Sequence, residues 1–132
     1  MEQSTILVVD DEKIWRNLLS RLLRTANYEV HTATGCADGI RLAELHKPDC
    51  ILLDFHLTDG TAADVCLSVR SREDIKKTPI IIFSSDPDKE IISYAQCRAD
   101  KFVLKGIPLT KLLAVIEILI RKTPQGQASF IS

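Results

Sequence analysis

Short aliphatic runs recur along the chain at residues 6–9 (ILVV), 50–53 (CILL), 79–83 (PIIIF) and 102–104 (FVL). Each is apolar at successive positions, as strands are when helices cover both faces of a parallel sheet. Residues 28–33 (YEVHTA) instead alternate apolar and polar, which predicts an outermost strand with one face partly wet. Between the runs the period changes. Over residues 13–26, Ile14, Trp15, Leu18, Leu19, Leu22, Leu23 and Ala26 recur at helical steps, with Arg16, Arg21 and Arg24 opposite. A second helix is predicted over 36–46, stopping ahead of Pro48 because the residue before a proline is pushed away from helical geometry. Three more follow over 61–72, 88–97 and 109–122, with Asp88 as a cap, Pro108 at a helix start and Pro124 ending the last. Parallel neighbours need crossover connections, so the alternation predicts an α/β fold, an open five-stranded parallel sheet with five helices.

The chain has 132 residues, which suits one domain, placed here at 1–122 with 123–132 as a tail or the start of a linker. Basic and acidic side chains nearly balance, 17 against 18, and a sequence pI near 6.3 offers no global basic field for nucleic acid. Direct contact with DNA or RNA is not expected. Cys36, Cys50, Cys66 and Cys97 form no C-x-x-C pair and have no His at metal-ligand spacing, so they read as reduced thiols. No cationic stretch with a long apolar run opens the chain, and no apolar run approaches the roughly 20 residues that span a bilayer. A cytoplasmic location without membrane contact is the expectation.

In open α/β sheets ligands bind beyond the carboxyl ends of the strands. Here those ends carry Asp10-Asp11-Glu12, Asp54, Ser84-Ser85 and Lys105. A lone Ser84 would read as a turn or cap residue. Adjacent acids directly after a buried strand are different, because their repulsion calls for a cation. Clustered carboxylates suit a hard divalent ion, and Mg²⁺ is usually completed by water and phosphate oxygens. A nearby ammonium and hydroxyl could hold phosphoryl oxygens, leaving one carboxylate to act as nucleophile. Asp54 is best placed for that role.

The segments ILVVDDE, ILLDFHLTDG, IIIFSS and KFVLK, in this order, resemble the receiver domain of bacterial two-component response regulators, chemotaxis regulators among them. The resemblance covers about residues 5–122. It implies a flavodoxin-like, doubly wound sheet of order 2-1-3-4-5 and a phospho-acceptor at Asp54 that takes its phosphoryl group from a histidine kinase or histidine phosphotransfer protein. It also implies Mg²⁺, or Mn²⁺ in its place, held by Asp11, Asp54 and the backbone carbonyl of His56, with Asp10 acting through water. Ser84 and Lys105 would bind the phosphoryl oxygens. Ser84 and Phe102 would form the switch, although Phe102 reads equally as core. The physics is a local charge biasing a two-state surface.

By the same resemblance His56 and Asp86 flank the attacking water and tune phosphate lifetime, where the plain reading is solvated loop residues. Trp15 reads as core packing or, with Ile14 and Leu18, as part of the surface that docks the histidine-bearing partner. The chain departs from the family pattern at Thr58, a frequent proline, and at Ala62, where many relatives have glycine. Gly106 stands where many have proline; a non-proline cis bond costs about 3 kcal/mol, so a trans Lys105–Gly106 bond is expected.

Two other classes share these residues. A small phosphohydrolase of the haloacid dehalogenase type also combines Asp, Ser or Thr, Lys and Mg²⁺, but places its nucleophile after the first strand and a second Asp where this chain has His56. A receiver-like docking module would need none of the acceptor chemistry. Receivers are not enzymes beyond their own phosphorylation and dephosphorylation. Output here would pass through a downstream protein, an output domain outside this sequence, or a phosphorylation-dependent homodimer.

Overall fold

The computed structural model describes residues 3–122, so the tail expected over 123–132 lies outside the described residues. Five parallel strands, β1 (Thr5–Val9), β2 (Glu29–Ala33), β3 (Cys50–Leu53), β4 (Ile80–Ser84) and β5 (Lys101–Leu104), form one sheet in the order β2-β1-β3-β4-β5. The alternating strand is at an edge, where its exposed Glu29 and Thr32 can remain in water.

Helices α1 (Lys13–Thr25), α2 (Cys36–His46), α3 (Ala62–Arg70), α4 (Glu90–Ala95) and α5 (Leu109–Lys122) connect and cover the strands. The pleat divides the aliphatic runs between two cores. Ile6, Val8, Leu52, Ile81 and Phe83 pack with Leu19, Leu23, Leu112 and Ile116 of α1 and α5. Leu7, Val9, Ile51, Leu53 and Ile82 pack on the opposite face with Ala43, Val65 and Val69 of α2 and α3. Each fully buried aliphatic side chain contributes roughly 1.5–3 kcal/mol, which makes the central strands the rigid support of whatever follows their ends.

Three local departures concern the loops around those ends. The residues after β3 form a two-rung antiparallel ribbon, His56–Leu57 against Gly60–Thr61, ahead of α3. Its turn needs glycine at 60, because φ is +156° and a Cβ there would lie 2.4 Å from Asp64 Oδ2. Thr61 is the cap of α3, its hydroxyl accepting from Ala63 N while Asp64 accepts from Thr61 N. The helix expected over 88–97 is instead a 3₁₀ turn, Pro87–Lys89, followed by the short α4. Its cap is Asp86, whose Oδ1 accepts from Asp88 N at 3.0 Å, and not Asp88. Pro87 occupies the first helical position, where a missing N–H costs nothing, and this moves the start upstream.

Candidate functional site

The parallel ladder runs one residue past the strands and thereby sets the site. Asp10 N donates to Ala33 O at 3.0 Å, Asp54 N to Val9 O at 2.9 Å, and Lys105 N to Ser84 O at 2.8 Å. The two aspartates therefore stand on neighbouring central strands, with the serine and the lysine on the next pair. Asp10, Asp54 and Ser84 are all buried, at 2%, 8% and 1% exposure.

Lys105 closes the group. Its Nζ lies 2.9 Å from Asp10 Oδ2, 3.2 Å from Glu12 Oε1 and 3.3 Å from Asp54 Oδ2, so its three N–H bonds answer three carboxylates. Burial works against the ammonium, but the bond it donates to Asp10 and the charges of Asp54 and Asp10 outweigh it and raise its pKa. Asp54 is driven the other way from a normal acid. Burial first, then the charge of Asp10, pushes its carboxyl up to about 6, although Lys105 and the N–H of Phe55 oppose the shift. Phe55 N donates to Asp54 Oδ1 at 2.9 Å, and Glu12 N to Asp10 Oδ1 at 2.9 Å, so one oxygen of each aspartate is fixed by backbone.

Three carboxylates against one ammonium leave two negative charges uncompensated, the charge of one divalent cation. Ligand oxygens of Asp10, Glu12 and Asp54 all lie within 4.8 Å of one another, an all-oxygen set suited to a hard ion such as Mg²⁺. Glu12 belongs to this cluster although the sequence reading gave it no role. Asp11, expected as a ligand, is half-buried and is not among the three clustered carboxylates. The turn into α1, where Glu12 is the cap position, brings its carboxylate back toward Lys105.

His56 and Asp86, paired in the sequence reading only by their offsets from Asp54 and Ser84, lie across from each other with Nε2 and Oδ2 3.8 Å apart. Ser84 Oγ accepts from Asp86 N at 3.1 Å, which links the hydroxyl to that pair. Phe102 is buried in the α2/α3 core, and its N–H donates to Tyr94 Oη at 2.9 Å. Among the described residues there is no cis peptide bond, and Gly106 follows Lys105 at φ +110°, a conformation glycine adopts freely.

Trp15 is partly buried against the α1/α5 core. Its ring meets Phe83 edge-on at 5.3 Å, and Lys105 Nζ sits 5.1 Å from its centroid, so it forms an aromatic floor beneath the ammonium. Ile14 and Leu18, on the same helix, are 80% and 41% exposed. Asp59 was also not anticipated. Its carboxylate accepts from Cys36 N at 2.6 Å and Ala37 N at 3.1 Å, capping α2 from across the ribbon loop. Those two bonds lower its pKa and tie the loop after Asp54 to α2.

The family model for the response regulator receiver domain matches residues 6–117. The response regulator ArlR of Staphylococcus aureus is 31% identical over 121 residues, 91% of this chain and 54% of that protein. The chain thus spans about half the length of the curated relatives it matches. Among solved structures, the chemotaxis response regulator CheY4 of Vibrio cholerae superimposes with a TM-score of 0.82 at 26% identity, covering 89% of this chain and 99% of that one. The receiver domain of a sensor histidine kinase from Pseudomonas aeruginosa, described with a magnesium ion coordinated in its active site cleft, gives 0.81 at 20% identity over 91% and 99%. This chain belongs to the response regulator receiver domain family, and its sheet order and flavodoxin-like α/β architecture are those the resemblance implied. The candidate acceptor Asp54 follows β3, not β1, unlike the arrangement expected of the haloacid dehalogenase alternative.

Proposed function

We propose that this chain accepts a phosphoryl group on Asp54 from the phosphohistidine of a kinase or phosphotransfer protein and changes its protein-binding surface in response. The observation that carries the reading is the convergence of Asp10, Glu12 and Asp54 on Lys105 at the carboxyl ends of the central strands. A carboxylate oxygen of Asp54 bonds to phosphorus as the bond from phosphorus to the histidine nitrogen breaks, and the imidazole leaves with its electron pair. Lys105 exchanges one of its carboxylate partners for a phosphoryl oxygen, and Ser84 donates its hydroxyl to another. His56 and Asp86 border the outer side of the acceptor and set how readily water reaches it.

A divalent cation, Mg²⁺ or Mn²⁺, would be held by Asp10, Glu12 and Asp54, with Asp11 and the His56 carbonyl completing the set, and would neutralise charge on the transferring group. The magnesium described for the Pseudomonas receiver supports this assignment. Ser84 and Phe102 form the switch, since a dianionic phosphate adds charge that only one arrangement of the hydroxyl satisfies. Ile14 and Leu18 supply exposed apolar contact for the donor. The signal passes to a downstream protein, to an output domain beyond this sequence, or through a phosphorylation-dependent homodimer, in the cytoplasm, and the only reaction catalysed is the chain's own modification. The test is borohydride reduction after treatment with acetyl phosphate and Mg²⁺. Peptide mapping that finds homoserine at position 54 supports the reading, and reduction at another carboxylate refutes it.

A further inference from the structure

Helix α1 carries Lys13, Arg16, Arg21 and Arg24 and no acidic residue in a chain whose net charge is −1. Beside its second half, a groove of about 610 Å³ opens between α1 and the edge strand β2, lined by Asn17, Ser20, Arg21, Arg24, Thr25 and Thr32. Every lining side chain can donate a hydrogen bond, and none is a carboxylate. The donors are also largely unspent. Arg24 Nη2 gives one bond to Val30 O at 3.2 Å, while the side chains of Asn17, Ser20, Arg21, Thr25 and Thr32 have no hydrogen-bond or ion-pair partner among the described residues. Ser20 is 9% exposed as a residue, but its hydroxyl opens to solvent at the groove, since no buried side-chain polar atom among the described residues lacks a partner.

The nearest acid on β2, Glu29, is engaged with His31 Nε2 at 2.8 Å, and the strand's alternation turns both away from the Val30–Thr32 face. The carbonyl end of α1 contributes about half a negative charge at Thr25, which two guanidiniums exceed. By contrast, in the groove lined by Lys47, Glu73, Asp74 and Lys76 the charges answer one another, with Lys47–Asp74 at 3.6 Å and Lys76–Glu73 at 2.8 Å. A guanidinium pairs equally well with carboxylate and phosphate, but two of them with the three hydroxyls and one amide of this lining offer more donors than the two oxygens of a carboxylate can use, which suits the larger oxygen set of a phosphate. No aromatic side chain lines the α1/β2 groove to stack a base.

We propose that the α1/β2 groove is a second anion site, separate from the Asp54 pocket, that binds a compact polyphosphate. The ligand class is a pyrophosphate group, either free or as the phosphate chain of a nucleotide. The site needs no cation and no phosphotransfer, so it is read on Asp54→Asn protein in EDTA, where neither can contribute. Isothermal titration with inorganic pyrophosphate is expected to show saturable binding that Arg21→Gln weakens about tenfold, the typical cost of a lost charge-assisted contact. Arg21 is exposed and makes no bond, so this variant folds; Ser20→Ala provides an independent loss at the groove floor. Equal affinity for pyrophosphate and ADP identifies the phosphates alone as the ligand, and tighter ADP identifies a nucleotide. Absent binding, binding unchanged in both variants, or polyglutamate binding with the same Arg21 dependence would overturn the proposal, the last by making the groove a protein-docking face. Because the parent's acetyl phosphate reaction is scored separately, failure here leaves the Asp54 assignment standing and failure there leaves this one.

Discussion

Replacing Asp54 by Asn should make the cation-free protein more stable, although it removes the acceptor. Asp54 is 8% exposed and stands beside Asp10, and the two share one ammonium with Glu12. Its carboxyl is raised from 3.8 to about 6, by burial first and by Asp10 second. A carboxyl raised on folding binds more protons in the folded chain than in the unfolded one, so stability falls as pH climbs through that window and levels off above it. About two pKa units at roughly 1.4 kcal/mol each set a ceiling near 3 kcal/mol. That rise is already net of the attraction of Lys105, and because the pocket opens to water along Glu12, whose side chain is 60% exposed, about 1–2 kcal/mol is the net expectation. Asn retains an oxygen for the Phe55 N–H. Urea unfolding in EDTA, followed by circular dichroism, should show the variant ahead at pH 7.5, with its margin shrinking steadily from pH 6.5 to pH 4. A destabilised variant, or a margin independent of pH, would refute the electrostatic account of the pocket.

Further outcomes follow from the same geometry. Lys105→Met leaves three carboxylates facing one another without their cation and should cost about 3 kcal/mol in EDTA, most of it recovered in excess Mg²⁺; equal urea midpoints for parent and variant would remove the charge argument. Trp15→Leu loses the edge-on contact with Phe83 and the aromatic floor under Lys105, for about 2 kcal/mol, whereas Trp15→Phe should retain more than half; unfolding curves of the two variants that coincide would count against the aromatic role. His56→Ala should change stability by less than about 0.5 kcal/mol and Asp86→Ala, which also removes the cap on Asp88 N, by about 1 kcal/mol, while the phosphate half-life moves severalfold in both; half-lives equal to the parent's would leave the pair without that role.

The four ladder positions were legible because they follow uninterrupted apolar runs. Once a strand is recognised, parallel register fixes where the next residue stands, and Asp10, Asp54, Ser84 and Lys105 needed nothing more. The acid run after β1 was harder. Beyond the last rung the period of two no longer applies, and the turn into α1 decides that Asp10 and Glu12, and not Asp11, face Lys105. The start of the fourth helix was misplaced because Asp86 and Asp88 are equally good caps as residue types, and only Pro87 distinguishes them. Asp59 was out of reach for a different reason: it caps α2 across 23 residues, and no local pattern encodes a contact of that separation. The His56–Asp86 approach was legible only as two offsets within a family pattern, since it depends on two loops meeting above the sheet.

The central claim is that Asp54 takes the phosphoryl group. Intact mass spectrometry of parent and Asp54→Asn protein, each incubated with acetyl phosphate and Mg²⁺, tests it most directly. The parent should gain a single phosphoryl mass that disappears on standing and does not form in EDTA, and the variant should gain none. An equal adduct on the variant, or an unmodified parent under conditions where Mg²⁺ binding is measured, would contradict the account.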